Sequence, residues 1–396
     1  MRILLATAGS RGDVEPFAAL AERACAAGHE VRLVAPENSG VEMGDLDVAS
    51  MGVDYTRMIE DQGVSITAAL RNYRSVVRPV MRGVIVGGAL AALEYEPDLI
   101  VYHPKVLSAP LVADALGVPH VVVEIVPTLT PTRAFPAAGT ITRGIGPLNR
   151  LTYQAAGAAS IMFRSELGEV RRMVGARKRK VSAPAATLMP ISPAILPRPD
   201  DWPESVHLTG PWTRAHRLAA LELEVAEFVT DGPFIYAGFG SMAVGNATSR
   251  GGAIVDVARE RGSRCLIATG VGGIEVPPDR LGADVLVVQT VSHTAVLQHA
   301  TAAVHHGGIG TVHAAMTAAT PSVIVPFIAD QPFWGSRLYE MGLTPAPIPQ
   351  RALTVPALSA ALDEAEQCRP RITEVAKAMS AEDGTLTALT LLAAIH

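Results

Sequence analysis

The sequence predicts an α/β protein built as two parallel-sheet domains. Three observations lead there. Strand-like apolar runs alternate with helix-like segments along the whole chain. The strand, glycine turn and helix of the N-terminus (RILLATAGSRGDVEP) return in the second half as PFIYAGFGSM. A proline-rich stretch separates the two halves. Alternating strands and helices give parallel strands joined by crossover helices. With 396 residues, the chain is long enough for two such domains, each with its own core. Hydrophobic residues make up 49% of the chain and aromatics only 5%, so Ala, Val, Leu and Ile fill the interior, as suits helices stacked on a parallel sheet.

The opening strand, RILLATA, runs into the turn GSRGDVE and then a helix from Pro16 to about Ala27. Phe17, Leu20, Ala21 and Ala24 keep the spacing of a helix buried on one face. Pro16 suits the first helical position and Gly28 stops the helix. EVRLVAP follows, so residues 1–36 form one βαβ unit, and further strands are expected at DLIVYH near residue 100 and HVVVEIV near 122. Residues 182–212 hold seven prolines and two tryptophans, which no single helix or central strand accommodates. That stretch reads as an interdomain linker, closing a first domain of residues 1–212. The second domain, 213–375, takes PFIYAGFGSM, CLIATG, VLVVQTV, AAVHHGG and SVIVPF as strands, and Leu353 to His396 reads as mostly helical. There is no low-complexity segment and no short-period repeat.

A net charge of -5 and a pI near 6.1 give no electrostatic argument for nucleic acid or an acidic membrane as partner. Cys25, Cys265 and Cys368 are too far apart for a metal site or a disulfide framework, which points to a reducing cytoplasm. The N-terminal apolar run is too short for a signal peptide. Val84 to Leu93 is short, and Val106 to Val126 is broken by Asp114, His120 and Glu124, so no stable membrane insertion is expected. The positive mean hydropathy then reflects either a greasy substrate cleft or weak surface association.

The most informative stretch is Ala303 to Gln331, AVHHGGIGTVHAAMTAATPSVIVPFIADQ. It reads as a buried strand, a glycine turn carrying His305, His306 and Thr311, a small-residue helix, and a second strand ending in Asp330 and Gln331. Glycines admit a ligand close to the backbone, and helix N-terminal amides favour an anion such as a diphosphate. A His donor, backbone amides and a hydroxyl would stabilise charge on a leaving diphosphate. Asp330 either meets sugar hydroxyls together with Gln331 or caps the following helix. At the other end of the chain, Asp13 in SRGDVEP is a general base facing a substrate hydroxyl or a cap of the first helix. Gly238-x-Gly240-x-x-Ala243 loosely matches a dinucleotide fingerprint, but its second strand ends in Thr269-Gly270 without the ribose carboxylate, and a nicotinamide enzyme is the lesser reading. Asp45-Leu46-Asp47 has the form of a metal-binding pair but lies in a polar stretch, so a surface role is expected and no metal.

Together, GSRGDVEPF, YAGFGSM, HHGGIGT and PFIADQPFW resemble the inverting glycosyltransferases of family 1 with the GT-B fold, in order and over nearly the whole chain. The likeness is strongest to bacterial enzymes that decorate antibiotics (glycopeptides and polyketides) and to sterol glucosyltransferases. It implies two Rossmann-like domains facing across a cleft, with a C-terminal helix, residues 376–396, crossing back to brace the N-terminal acceptor-binding domain. Asp13 would be the catalytic base, where many relatives carry a histidine. Ser10, Arg11, Gly12 and Ser241 would approach the diphosphate, and His306, Gly308, Gly310 and Thr311 would bind its phosphates. Val291 and His293 would lie beside the nucleobase, and Asp330 and Gln331 would contact the donor sugar. Plant members carry a ribose-holding glutamate eight residues after the motif histidine, where this chain has Ala314. That departure suits a dTDP-sugar, although sterol enzymes lacking the glutamate use UDP-glucose.

The expected function is therefore hexosyl transfer from a dTDP-deoxysugar or UDP-glucose to a hydroxyl of a hydrophobic natural product, in secondary metabolism. The alternatives are a sterol or lipid-type UDP-glucosyltransferase, a sugar-nucleotide epimerase, and a non-catalytic partner that activates a glycosyltransferase. Residues 55–85 and 127–160 would line the acceptor pocket as an apolar, flexible wall. A cytoplasmic monomer or weak dimer is expected, with a nucleotide-sugar co-substrate but no cofactor and no nucleic-acid partner.

Overall fold

The computed structural model describes residues 1–54, 71–175, 181–214, 221–240, 242 and 245–395. The chain divides into two compact units. The first comprises Met1–Ala137, Gly144–Arg214 and Glu382–His396, and the second Ala138–Arg143 with Ala215–Ala381. Each unit is built on one fully parallel sheet.

In the first unit, seven strands lie in the order β3-β2-β1-β4-β5-β6-β7. They are β1 (Arg2–Ala6), β2 (Glu30–Glu37), β3 (Asp47–Asp54), β4 (Leu99–Tyr102), β5 (His120–Val123), β6 (Ala186–Met189) and β7 (Val206–Leu208). The central strands β1, β4 and β5 are buried almost throughout, as near-continuous apolar strands in a sheet covered on both faces should be. Helix α1 (Arg11–Ala26) follows β1, and its buried Val14, Phe17, Ala18, Leu20, Ala21 and Ala24 form the inward stripe. It starts five residues before the proline that the sequence suggests as its first position. Pro16 lies inside it as the sixth residue, so the hydrogen bond an amide there would give the Gly12 carbonyl is missing. Gly28, at φ +84°, completes the stop.

The stretch 182–212 is more than a crossing, because it contributes β6 and β7 to the sheet. All seven prolines fall outside the two ladders, so no strand amide is lost. The helical run α2 (Tyr73–Tyr95) also exceeds the apolar segment legible in the sequence. It has 23 residues with mean hydropathy 1.6, enough by length and composition to cross a membrane. Its Val84, Ile85, Val86, Ala89 and Ala92 pack into the core of this unit with residues of β1, β4 and helix α3 (Ala109–Leu116).

The second unit repeats the plan with five strands ordered β10-β9-β8-β11-β12. They are β8 (Phe234–Gly238), β9 (Arg264–Ala268), β10 (Val285–Val288), β11 (Ala302–His305) and β12 (Ser322–Ile324). Between and after them come α4 (Ala247–Glu260), α5 (His293–Leu297), α6 (Ile309–Thr317), α7 (Gln331–Glu340), α8 (Val355–Gln367) and α9 (Arg369–Met379). The final helix, α10 (Gly384–Ile395), rejoins the first unit against α1. Glu382 just before it accepts from the Ser192 hydroxyl at 2.7 Å, and Asp383 pairs with Arg23 of α1.

Both sheets share one topology. The strand that opens each sheet pairs on one side with its successor and on the other with a later strand, so the order reverses between β1 and β4 and between β8 and β11. Loops leaving such neighbours in opposite directions open a crevice beyond the strand ends, where α/β sheets bind ligands.

Candidate active site

In the first unit the crevice is formed where Ala6 of β1 pairs with Tyr102 of β4. Ser10 precedes α1 as its N-cap and Asp13 is the third helical residue. The Asp13 Oδ2 accepts the Ser10 N–H at 3.1 Å, so the capping role is realised. The same oxygen accepts from Lys105 Nζ at 3.0 Å, while Oδ1 faces His103 Nε2 at 3.4 Å. The backbone below is pinned as well: the Thr7 hydroxyl donates to the Asp13 carbonyl at 2.7 Å, and His103 N–H to the Ala6 carbonyl at 2.8 Å.

The protonation states follow from these contacts. His103 Nδ1 accepts the Lys105 backbone N–H at 3.2 Å, which places the ring proton on Nε2, facing Asp13 Oδ1. Burial and the Lys105 cation push His103 down to about 3 against the pull of Asp13, so the ring is neutral at pH 7. Burial alone would raise the Asp13 carboxyl. Lys105, His103 and the Ser10 amide outweigh it and hold Asp13 below the ordinary carboxylate value. Sequence reasoning names Asp13 but misses His103 and Lys105. Their signal was position: both follow directly on the buried run LIVY, at the end of the strand beside β1.

Next along this sheet, Glu124 leaves β5 fully buried and organises the loop that follows. Its carboxylate accepts the N–H groups of Thr128, Leu129 and Thr130 at 2.9, 2.7 and 3.3 Å, and the Thr130 hydroxyl as well. Of the loops expected to line an acceptor, residues 55–70 lie outside the described residues. The other exposes large apolar side chains at Leu129, Ile145, Leu148 and Leu151. Arg11 and Gly12 are exposed at the start of α1, and apart from its own helix and chain neighbours no described residue comes within 4 Å of where a Gly12 Cβ would be.

In the second unit the crevice lies where Gly238 of β8 pairs with His305 of β11. His305 is fully buried, and its Nδ1 accepts the Gly307 N–H at 3.1 Å. His306 turns the other way, over the glycine turn that follows β8. A Cβ on Gly308 would come within 2.5 Å of its Nε2, and one on Gly240 within 3.5 Å of its ring. Burial and neighbouring His293 lower His306 to about 4 against a hydrogen bond that the ring donates to the Gly238 backbone, so it too is neutral at pH 7. Gly308 is the N-cap of α6, which places the N–H groups of Ile309, Gly310 and Thr311 at the helix start, where none has an intrahelical partner. Thr311 is buried, and Gly310 is exposed with no described residue beyond its own helix near its missing side chain.

His293 opens α5 beside half-buried Val291, and its Nε2 lies 2.9 Å from the buried Tyr236 hydroxyl. Gly238 leaves room for that hydroxyl, which would sit 2.2 Å from a Cβ there. Asp330 stands at the N-cap of α7, yet its side chain makes no capping bond. Gln331 is buried and turned into its own loop. Its Oε1 accepts the Phe327 and Ile328 N–H groups at 2.8 and 3.1 Å, and its Nε2 lies 3.4 Å from Met242 Sδ. That amide braces the loop that presents Asp330, and Ala329 between them adopts φ +56°, an uncommon conformation for a residue with a side chain. Ala314 is buried in α6. Ser241 lies outside the described residues.

Among the described residues no group of three or more His, Cys, Asp or Glu could hold a metal ion. Asp47 of the Asp45-Leu46-Asp47 pair is taken by Arg32 Nε at 2.8 Å on the surface.

Residues 276–385 match the family described as erythromycin biosynthesis protein CIII-like, C-terminal domain. The chain is 34% identical to O-mycaminosyltylonolide 6-deoxyallosyltransferase of Streptomyces fradiae, covering 99% of this chain and 97% of that one. It is 29% identical to a sterol 3-beta-glucosyltransferase of Arabidopsis thaliana, over 98% of this chain and 67% of that one. Among solved structures, the glycosyltransferase VinC in complex with dTDP superposes with a TM-score of 0.65 at 19% identity, over 100% of this chain and 99% of that one. With two parallel sheets, a site loop at each topological switch point and a relative this similar over its full length, the chain belongs to the family 1 glycosyltransferases of the GT-B fold, the group that includes antibiotic-decorating and sterol-glucosylating enzymes.

Proposed function

We propose that the chain catalyses inverting transfer of a sugar from a nucleoside diphosphate to a hydroxyl of a hydrophobic natural product, with Asp13 as the base and no metal. The observation that carries this is Asp13 itself: a carboxylate at the switch point of the first sheet, held ionised by Lys105 and His103 in a partly buried turn. As the acceptor oxygen forms its bond to the anomeric carbon from one face, its proton passes to Asp13. The bond from that carbon to the diphosphate oxygen breaks on the other face, and the nucleoside diphosphate leaves with the electron pair. A weakly basic carboxylate suffices, because the hydroxyl becomes acidic only as its new bond forms.

The second unit supplies the donor side. The amides of Ile309, Gly310 and Thr311 face an anion at the α6 N-terminus, and neutral His306 adds a hydrogen bond rather than a charge. Ser10, Arg11, Gly12 and Ser241 belong to the same diphosphate reading, Val291 and His293 to the base, and Asp330 to the sugar. Gln331 supports the sugar contact by bracing the loop. The buried Ala314 and the dTDP complex of VinC both support a dTDP-sugar over UDP-glucose. Leu129, Ile145, Leu148 and Leu151 support an apolar acceptor.

The test combines donor binding, turnover and product stereochemistry. Asp13→Asn should bind dTDP as the parent does and lose at least about 100-fold in kcat. The anomeric centre of the product should be inverted by proton NMR. A product that retains the donor configuration, or an Asp13→Asn enzyme with full turnover, removes the mechanism, and tighter binding of UDP than dTDP removes the donor assignment.

A further inference from the structure

We propose that Lys105 and His103 are positioning residues for Asp13. Lys105 keeps the carboxylate charged while it is buried, and His103 fixes its orientation so that Oδ1 is the atom that receives the acceptor's proton. This rests on the reading of Asp13 as the base and goes beyond it by dividing the work among three side chains.

The division follows from counting donors at each oxygen. Each carboxylate oxygen has room for two hydrogen bonds. Oδ2 is filled by the Ser10 amide and the Lys105 ammonium, at 3.1 and 3.0 Å. Among the described residues Oδ1 accepts no hydrogen bond; it faces the His103 Nε2–H at 3.4 Å and keeps room for a substrate hydroxyl. His103 cannot rotate freely, since its Nδ1 holds the Lys105 amide and its ring packs edge-on against Phe17, 6.4 Å between centroids. Among the described residues the titratable groups facing Asp13 are Lys105 and His103, both from the turn after β4, while Arg11 on its own helix is turned towards Glu15.

The consequence is a pH effect with a fixed sign. Burial is the strongest influence on Asp13 and acts to raise it, so removing the Lys105 charge lets the carboxyl rise. A base works only when ionised, so the acid limb of the rate profile must move up with it. Lys105→Met should shift the acid limb of kcat/KM upward by about one pH unit or more, keeping the alkaline plateau within about threefold. Lys105→Arg, which keeps the cation, should return the limb to its original place. His103→Leu should lower kcat at least about tenfold at every pH with dTDP affinity unchanged, and His103→Gln, whose amide donates in place of Nε2–H, should recover most of it.

Asp13→Asn is measured beside these. If it retains turnover, the base assignment falls first. If Asp13→Asn is inactive but Lys105→Met lowers kcat equally at all pH values with the limb in place, Lys105 is only structural and this inference is overturned. Equal loss in His103→Leu and His103→Gln overturns the orienting role.

Discussion

At the scale of single residues, the site depends on glycines that make room for functional atoms. Gly9 is the sharpest case. Its φ is +143°, and a Cβ there would lie 1.8 Å from Asp13 Oδ2. The carboxylate occupies the space that any other residue at position 9 would fill, so the turn and the proposed base are specified together. Gly9→Ala should therefore cost about 1–3 kcal/mol of stability through strained backbone. It should also displace Asp13 and lower kcat at least about 100-fold, as Asp13→Asn does. Denaturant titration and steady-state rates check this, with dTDP binding as the control. An alanine variant with full activity would mean that the carboxylate need not sit where the structure places it. Gly238 and Gly308 play the same part in the second unit, clearing space for Tyr236 and His306.

At the scale of elements, a contrasting glycine shows which features the fold does not require. Gly310 sits in the first turn of α6 and is exposed, and apart from its own helix no described residue lies within 4 Å of where its Cβ would be. Gly in a helix is about 0.5–1 kcal/mol worse than Ala, so here the fold alone would favour a side chain. The close approach of a diphosphate to the helix amides, as proposed, would account for its absence. Gly310→Ala should raise stability by about 0.5–1 kcal/mol while weakening dTDP binding at least about tenfold, as read by thermal shift with and without nucleotide. Unchanged binding would detach the α6 N-terminus from the donor. This element was legible because HHGGIGT combines three local signals in seven residues. The central strands were legible because strands buried on both faces are unbroken apolar runs. The start of α1 was not, because Pro16 looks like a first helical residue, and only the sheet shows that the helix begins at Arg11. Strands β6 and β7, four and three residues between prolines, carry no periodicity to read.

At the scale of the whole molecule, one topology used twice explains both what the sequence revealed and what it hid. Each sheet reverses strand order beside its opening strand, so each site joins a loop after that strand to a loop far along the chain. Asp13 is legible alone, but its partner Lys105 lies 92 residues away and is placed only by the pairing of β1 with β4. The same architecture buries histidines at the ends of apolar strands and in the small-residue helix that follows β11, and this makes the fold acid-sensitive. His305 and His313 are held down to about 3 by burial, with His306 and His293 adding to the effect on His305. His306 is held to about 4, and His103 in the first unit to about 3. An unfolded histidine takes up a proton near pH 6.5. Between that pH and the folded values the unfolded chain binds more protons, so stability present at neutral pH is lost as the pH falls. Each such histidine removes up to about 1.4 kcal/mol per pH unit below its unfolded value. The second unit carries three of these four most strongly lowered rings, while His29, His120 and His207 of the first unit are lowered less, so the second unit should lose stability first. Hydrogen exchange at pH 7.5 and 5.5, corrected for intrinsic rates, should show protection of residues 309–317 falling more steeply than that of β1 and β4. His305→Asn removes one titrating group while leaving an acceptor for the Gly307 amide, so it should shallow that fall by up to about 1.4 kcal/mol per pH unit. Equal protection at both pH values, or an unaltered slope in the variant, would show that these rings are not held neutral by the fold.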